Sequence, residues 1–164
     1  MLQSLFDSQI KTLSIVLMGI FFMLFFLFRS FKIAFAAIMP NVIACFVILG
    51  SMGLLSIPLD LMTITIAAIT IGIAVDNCIH YIYRYREYLT ITGKHDETVI
   101  KCNETVGQAI KNTSYTIIAG FSILVISNFY PTIYFGLFTA LAMIVALCGS
   151  LTLLPVILKK LITI

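Results

Sequence analysis

Residues Leu61–Tyr83 read LMTITIAAITIGIAVDNCIHYIY. As an α-helix rising about 1.5 Å per residue the stretch covers roughly 34 Å, enough to cross the ~30 Å hydrocarbon core of a bilayer. A transmembrane β-strand would need only about 10 residues of alternating polarity, and this stretch does not alternate. A helix is therefore the form in which its backbone satisfies itself in lipid. Its one acidic residue, Asp76, lies roughly 22 Å along the axis from Leu61 and about 10 Å from Tyr83, well inside the hydrocarbon. A carboxylate at that depth costs about 2.5–3.5 kcal/mol on insertion scales and ordinarily marks an ion or proton pathway.

The same pattern extends outward in both directions. Four more apolar stretches run over about 10–28, 33–55, 113–129 and 134–158, giving five predicted spans with 61–83 as the third. The chain has 164 residues, 61% hydrophobic and only 10% charged, against about a quarter charged in an ordinary soluble domain. This composition excludes a water-soluble globule, a disordered segment and a disulfide scaffold, and predicts an all-α, multi-pass membrane protein forming a single transmembrane domain over 1–164. Cys45, Cys78, Cys102 and Cys148 have no metal-ligand spacing, and no metal or cofactor is expected. The net charge of +3 gives no support to a nucleic-acid partner, because membrane proteins gather Lys and Arg on the cytoplasmic side for topological reasons.

The connectors at 29–32, 56–60 and 130–132 are short, so consecutive helices lie antiparallel and adjacent. Only 84–112 is long. Its Val99, Cys102, Val106 and Ala109 fall at helical spacing opposite Lys101, Glu104 and Lys111, which predicts an amphipathic helix on the cytoplasmic surface. With the N-terminus outside, Arg29, Lys32, Arg84, Arg86, Lys94, Lys101, Lys111, Lys159 and Lys160 are cytoplasmic and Lys11 alone is not. The predicted location is the plasma (inner) membrane, with the C-terminus inside and Cys102 the one cysteine outside the lipid. An odd number of spans beginning outside suggests a piece of a longer polypeptide.

On the helix wheel Thr65, Gly72, His80 and Tyr83 fall within about 40° of Asp76. They form a polar stripe in which Gly72 leaves room for a neighbouring helix. The opposite face, with Ile64, Ile71, Val75 and Ile82, suits lipid. Asn77, 100° round from Asp76, is placed to bond an adjacent helix. The stripe has a functional reading, in which Asp76 handles a proton, and a structural one, in which it only bonds a neighbouring helix. For a packing contact Ser or Asn would serve at lower risk, which favours the first. His80 is placed either to pass protons or to snorkel to the interface, and Tyr81, Tyr83 and Tyr85 suit an interfacial aromatic belt. On the fourth span Thr113, Thr116, Gly120 and Ser127 share a face. Their hydroxyls either reach Asp76 across the bundle or bond back into their own helix. Ala142, Ala146 and Ser150 form a small-residue packing stripe, and Pro40 and Pro155 are tolerated in their spans. The sequence contains no phosphate-binding loop, dinucleotide fingerprint or ligand-spaced histidine pair, and no enzyme activity is expected.

Ile57-Pro-Leu-Asp-Leu-Met-Thr63, then Gly72-Ile-Ala-Val-Asp76-Asn-Cys-Ile-His80 and Tyr83-Arg-Tyr-Arg-Glu87, resemble the fourth transmembrane helix of a resistance-nodulation-division half. More narrowly they resemble exporters related to the mycobacterial membrane protein large type. Gly107-Gln-Ala-Ile-Lys-Asn-Thr-Ser114, Phe135-Gly-Leu-Phe-Thr139 and Leu154-Pro155 extend the likeness over nearly the whole chain. The resemblance implies that the five spans are the second to sixth helices of one six-helix half. It also implies that Asp76 belongs to a proton relay, with His80 and Asn77 beside it and Thr65, Gly72, Tyr83, Thr113 and Thr116 in support. The implied partners are the bilayer, a hydrophobic or lipid-like substrate, and the missing second half with its extracytoplasmic domain. The chain alone is then expected to insert without transporting, unless copies of it assemble and rebuild the facing surface. Asp76 is followed by Asn77 where many relatives of this type have a second Asp or a Tyr, which leaves open whether this half carries the proton alone. The five-helix unit also resembles a sterol-sensing domain, which implies a lipid-sensing or structural module without proton flux.

Overall fold

The computed structural model describes residues 2–55 and 61–162, and of side chains 11, 12, 14–55 and 65–162. The described residues are helical apart from short turns. The helices are α1 (Leu2–Phe28), α2 (Phe31–Leu54), α3 (Leu61–Thr92), α4 (His95–Glu104), α5 (Val106–Ile123), α6 (Tyr130–Cys148) and α7 (Leu154–Leu161). Four apolar helices are long enough to cross a membrane: Phe31–Leu54, Thr65–Thr92, Val106–Ile126 and Tyr130–Leu161. In α1 the apolar helix Ser14–Phe28 is shorter. The predicted 56–60 connector and the side chain of Ile64 lie outside the described residues.

Helices α2, α3 and α6 form the centre, with α1 leaning on α2 and α5 on α6. They come together through small side chains: Ala44, Ala74 and Ala146, one from each, make a buried contact of their own, which lets the backbones approach closely. At one end Ile48, Met52, Ile66, Phe138 and Ala142 pack together. At the other, Leu24, Phe28, Ile33, Ile71, Val75, Tyr85, Cys102 and Leu154 belong to a larger cluster. The predicted stripe of Ala142, Ala146 and Ser150 is buried along α6 and the turn after it.

Several boundaries differ from the sequence reading. The first helix begins at Leu2 rather than near residue 10, and the third runs on to Thr92 rather than ending at Tyr83. The charged residues after Tyr83 continue the helix with an Arg84–Glu87 ion pair at 2.7 Å, and Gly93 ends it in the left-handed region, at φ 66°. The amphipathic helix expected in the second half of the 84–112 connector is not one continuous helix. Thr105, at φ −101° and ψ −86°, separates α4 from α5, and the predicted fourth span therefore starts at Val106. A wide turn over Gly149–Leu153 joins α6 to α7, just before Pro155, which has no N–H to continue the ladder. Here Gly149 packs on Pro40, where a Cβ would stand 3.0 Å from the proline Cβ.

Helix α4 folds back on α3. Tyr81 donates to Asn103 Oδ1 at 3.1 Å, Tyr85 Oη lies 2.7 Å from His95 Nδ1, and the Thr92 and Thr98 hydroxyls bond at 2.6 Å. From α7, Lys159 donates to Asp96 Oδ1 at 2.5 Å and holds that carboxyl below the usual carboxylate range. Tyr81 and Tyr85, expected in an aromatic belt, are fully buried in this clasp, and only Tyr83 is exposed. Cys102, expected to be accessible, is buried as well, and burial pushes its thiol up to about 11. A maleimide should leave Cys102 unlabelled from either side of the membrane until the protein is unfolded in detergent, because neither access nor thiolate is available.

Candidate functional site

The polar stripe of α3 is on the outside of the bundle. Thr65, Gly72, Asp76, His80 and Tyr83 are all exposed, while Ile71, Val75 and Ile82 are buried in the larger core cluster. The expected lipid-facing side of this helix is therefore its packed side, and the polar face is the one that the described residues leave uncovered. The physical reason is the hydrophobic surface itself: the three branched side chains have core partners, whereas no described helix offers Asp76 one. At Gly72 a Cβ would meet nothing within 4 Å, so no described helix makes the close approach that this glycine permits.

Asp76 and His80 stand one turn apart, with His80 Nε2 3.5 Å from Asp76 Oδ1 and both side chains 68% exposed. The separation is longer than a hydrogen bond and short enough for attraction when the imidazole is protonated. Asn77 points the other way and is buried, and its Nδ2 has no hydrogen-bond partner among the described residues, so the expected bond from that nitrogen to an adjacent helix is not made. Thr113 and Thr116 are not brought to Asp76. Their hydroxyls donate to the carbonyls of Ala109 at 2.8 Å and Asn112 at 2.9 Å, the back-bonding alternative. Both are exposed on α5.

Among the buried polar residues to which the sequence reading gave no role are Asn41 and Ser114. Asn41, fully buried on α2, donates to Ala37 O at 2.9 Å and lies 4.0 Å from Cys78 Sγ on α3, beside Asn77. Ser114 on α5 is buried with its Oγ unpartnered among the described residues. An Asn in the middle of the apolar run 33–55 is itself a signal, since polar groups in hydrocarbon are costly unless paired. No three His, Cys, Asp or Glu residues come together among the described residues in a way that could hold a metal ion. The arrangement offers one carboxylate and one imidazole, side by side and open, to whatever covers α3.

The chain is similar to a protein from Methanocaldococcus jannaschii named as a membrane protein, 32% identical over 149 residues, covering 91% of this chain and 38% of that one. It is similar also to the hopanoid transporter HpnN of Burkholderia multivorans, 26% identical over 151 residues, covering 88% of this chain and 16% of the transporter. The chain thus spans well under half the length of either relative. No solved structure matches it. The MMPL family model matches residues 1–161, almost the whole chain, and the chain belongs to the MMPL family.

Proposed function

We propose that this chain is one transmembrane half of a resistance-nodulation-division type exporter, driven by the proton-motive force and acting on hydrophobic or lipid-like substrates. Asp76 is its proton-carrying carboxylate. The observation that carries the reading is the exposure of Asp76 and His80 on a helix face that none of the described residues covers. Two ionisable groups at that depth cannot rest against acyl chains without a cost of several kcal/mol. They belong at a protein interface or a wetted cavity between two bundles, which is where a proton can be taken up on one side and released on the other. The relatives add the substrate class: HpnN is named as a hopanoid transporter, and hopanoids are apolar polycyclic lipids. In this role the chain binds and moves its cargo without chemical change and is not an enzyme.

The reading includes five spans, with the apolar part of α1 as the first, and the N-terminus outside. The full-length protein reconstituted in vesicles, with a proton gradient imposed, should move a hopanoid-like lipid in the direction opposite to proton flow, and a protonophore should stop it. Transport indifferent to the protonophore would remove the proton coupling. For orientation, an exposed position of α4 is needed. Lys101→Cys in a Cys148→Ala background should react with a membrane-impermeant maleimide in inverted vesicles and not in intact cells, and the opposite pattern would reverse the topology.

A further inference from the structure

We propose that α2, α3 and the end of α6 cross over a buried hydration site, in which one internal water bridges Asn41 and Asn77. The site is independent of the export reading and lies on the packed side of α3, away from Asp76. Ala44, Ala74 and Ala146, one from each helix, pack together. One turn from that contact all three elements change from apolar to polar, with Asn41 on α2, Asn77 and Cys78 on α3 and Ser150 just after α6, none of them more than 6% exposed. Two contacts hold this layer together. Asn41 Nδ2 lies 4.0 Å from Cys78 Sγ, and Gly149, beside Ser150, packs on Pro40, beside Asn41. The backbone is irregular at the same depth. Pro40, inside α2, has no N–H for the Ala36 carbonyl, and the wide turn over Gly149–Leu153 shifts the ladder after α6. Such irregularity is tolerated in a membrane protein where side chains or ordered waters meet the freed groups.

The side chains of the layer call for more hydrogen bonds than the helices supply. Asn41 directs its amide nitrogen to Ala37 O and Cys78, and its Oδ1, an acceptor, has no partner among the described residues. Asn77 Nδ2, a donor, has none either. Each amide carries what the other lacks, and they are not bonded directly. A water accepts from Asn77 Nδ2 and donates to Asn41 Oδ1. Its second proton goes to the oxygen of Ser150, whose own hydrogen is directed to Leu147 O at 3.0 Å. Three hydrogen bonds are typical of an internal water. The surrounding side chains are alanine, cysteine and serine, so the bridging group is small. A cation suits the place less well, because it would face the N–H donors of Asn77, and the neighbouring carboxylate, Asp76, stands on the exposed face.

The test is radiolytic footprinting of the full-length protein in lipid nanodiscs. An X-ray pulse converts a bound water into hydroxyl radicals on the spot, and these oxidise the side chain beside it. Cys78, fully buried in the polar layer, should be oxidised faster than Met52, equally buried in the apolar end of the bundle. Asn41→Leu should lower Cys78 oxidation to the level of Met52 and leave Met52 unchanged. Equally slow oxidation of Cys78 and Met52 in the wild type would show that no water is there. Suppression of Cys78 oxidation by sodium, against an equal concentration of choline, would make the occupant a cation. The midpoint of unfolding in sodium dodecyl sulfate gives a second reading that does not depend on the footprint. Asn41→Leu and Asn77→Leu should each lower it, because each leaves the other amide buried and unpaired, and the double variant should lower it by less than the sum. Additive shifts would show that the two amides are not joined and would overturn the site.

Discussion

If the full-length protein is the proton-driven exporter proposed above, Asp76→Asn is expected to insert and fold like the wild type and to export at background level. Asn keeps the size and hydrogen-bonding capacity of Asp and cannot ionise. Little else is lost, because the carboxylate makes no hydrogen bond shorter than its 3.5 Å approach to His80 and its side chain is 68% exposed in this chain. Removing a charge from a face in the hydrocarbon should, if anything, ease insertion by up to about 3 kcal/mol. On the proposed reading, function has no such margin. Each proton moved down the membrane potential supplies about 2.3 kcal/mol per 100 mV, comparable with the few kcal/mol that separate two arrangements of a helix bundle. Without a group to carry the proton that free energy is not coupled. Asp76→Glu, which keeps the proton but displaces it by one methylene, should retain part of the activity. Efflux of a fluorescent lipid from inverted vesicles would measure all three forms. Wild-type export by Asp76→Asn would transfer the site to the structural or lipid-sensing reading.

The largest effect on stability is expected at Gly136. It lies on α6 where α5 crosses, and a Cβ there would stand 2.6 Å from the Phe121 carbonyl oxygen and 2.8 Å from Leu124 Cβ. Neither can yield cheaply, one being backbone and the other a Cβ fixed to it. Gly136→Ala must push α5 and α6 apart, at a cost of about 1–3 kcal/mol in the range found for overpacked interiors. Helix α5 has little to compensate with, since only Gly107, Ile110 and Ser114 on it are buried and α6 is its main neighbour. Gly120→Ala is the control. A Cβ at that exposed glycine meets nothing within 4 Å, and the substitution should be neutral or slightly stabilising through helix propensity. Unfolding in mixed micelles of increasing sodium dodecyl sulfate separates the two, and equal midpoints for Gly136→Ala and wild type would show that the crossing is looser than described.

The helical class, the membrane environment and the membership of the polar stripe were legible because they follow from period and composition, which local sequence carries. The side on which that stripe lies was not. Asp76 and Gly72 have the same spacing whether their partner is in this chain or in another, and it was the burial of Ile71, Val75 and Ile82 that decided the matter. Tyr81 and Tyr85 illustrate the same limit. A tyrosine near a span end suits a wet interface and a buried hydrogen bond equally well, and the choice depended on Asn103 and His95 of a helix whose position the sequence does not reveal. The break at Thr105 has no local signal, with neither Gly nor Pro beside it. The end of α3 had one in Gly93, and it was missed because the charged run before it looked like a connector.

That α3 is unbroken from Leu61 to Thr92 gives it a mechanical property. From Asp76 to Thr92 it is a stiff rod of about 24 Å, so a tilt of about 10° at the depth of the carboxylate carries the far end sideways by about 4 Å. Helix α4 is fastened to that end by Tyr81, Tyr85 and Thr92, and Lys159 ties α4 in turn to α7. A rearrangement too small to open a path in mid-membrane thus becomes, at the Thr92 tip, a displacement the size of a side chain. α3 is in this sense a lever arm, with its short end at the charge and its long end attached to the last helix of the chain.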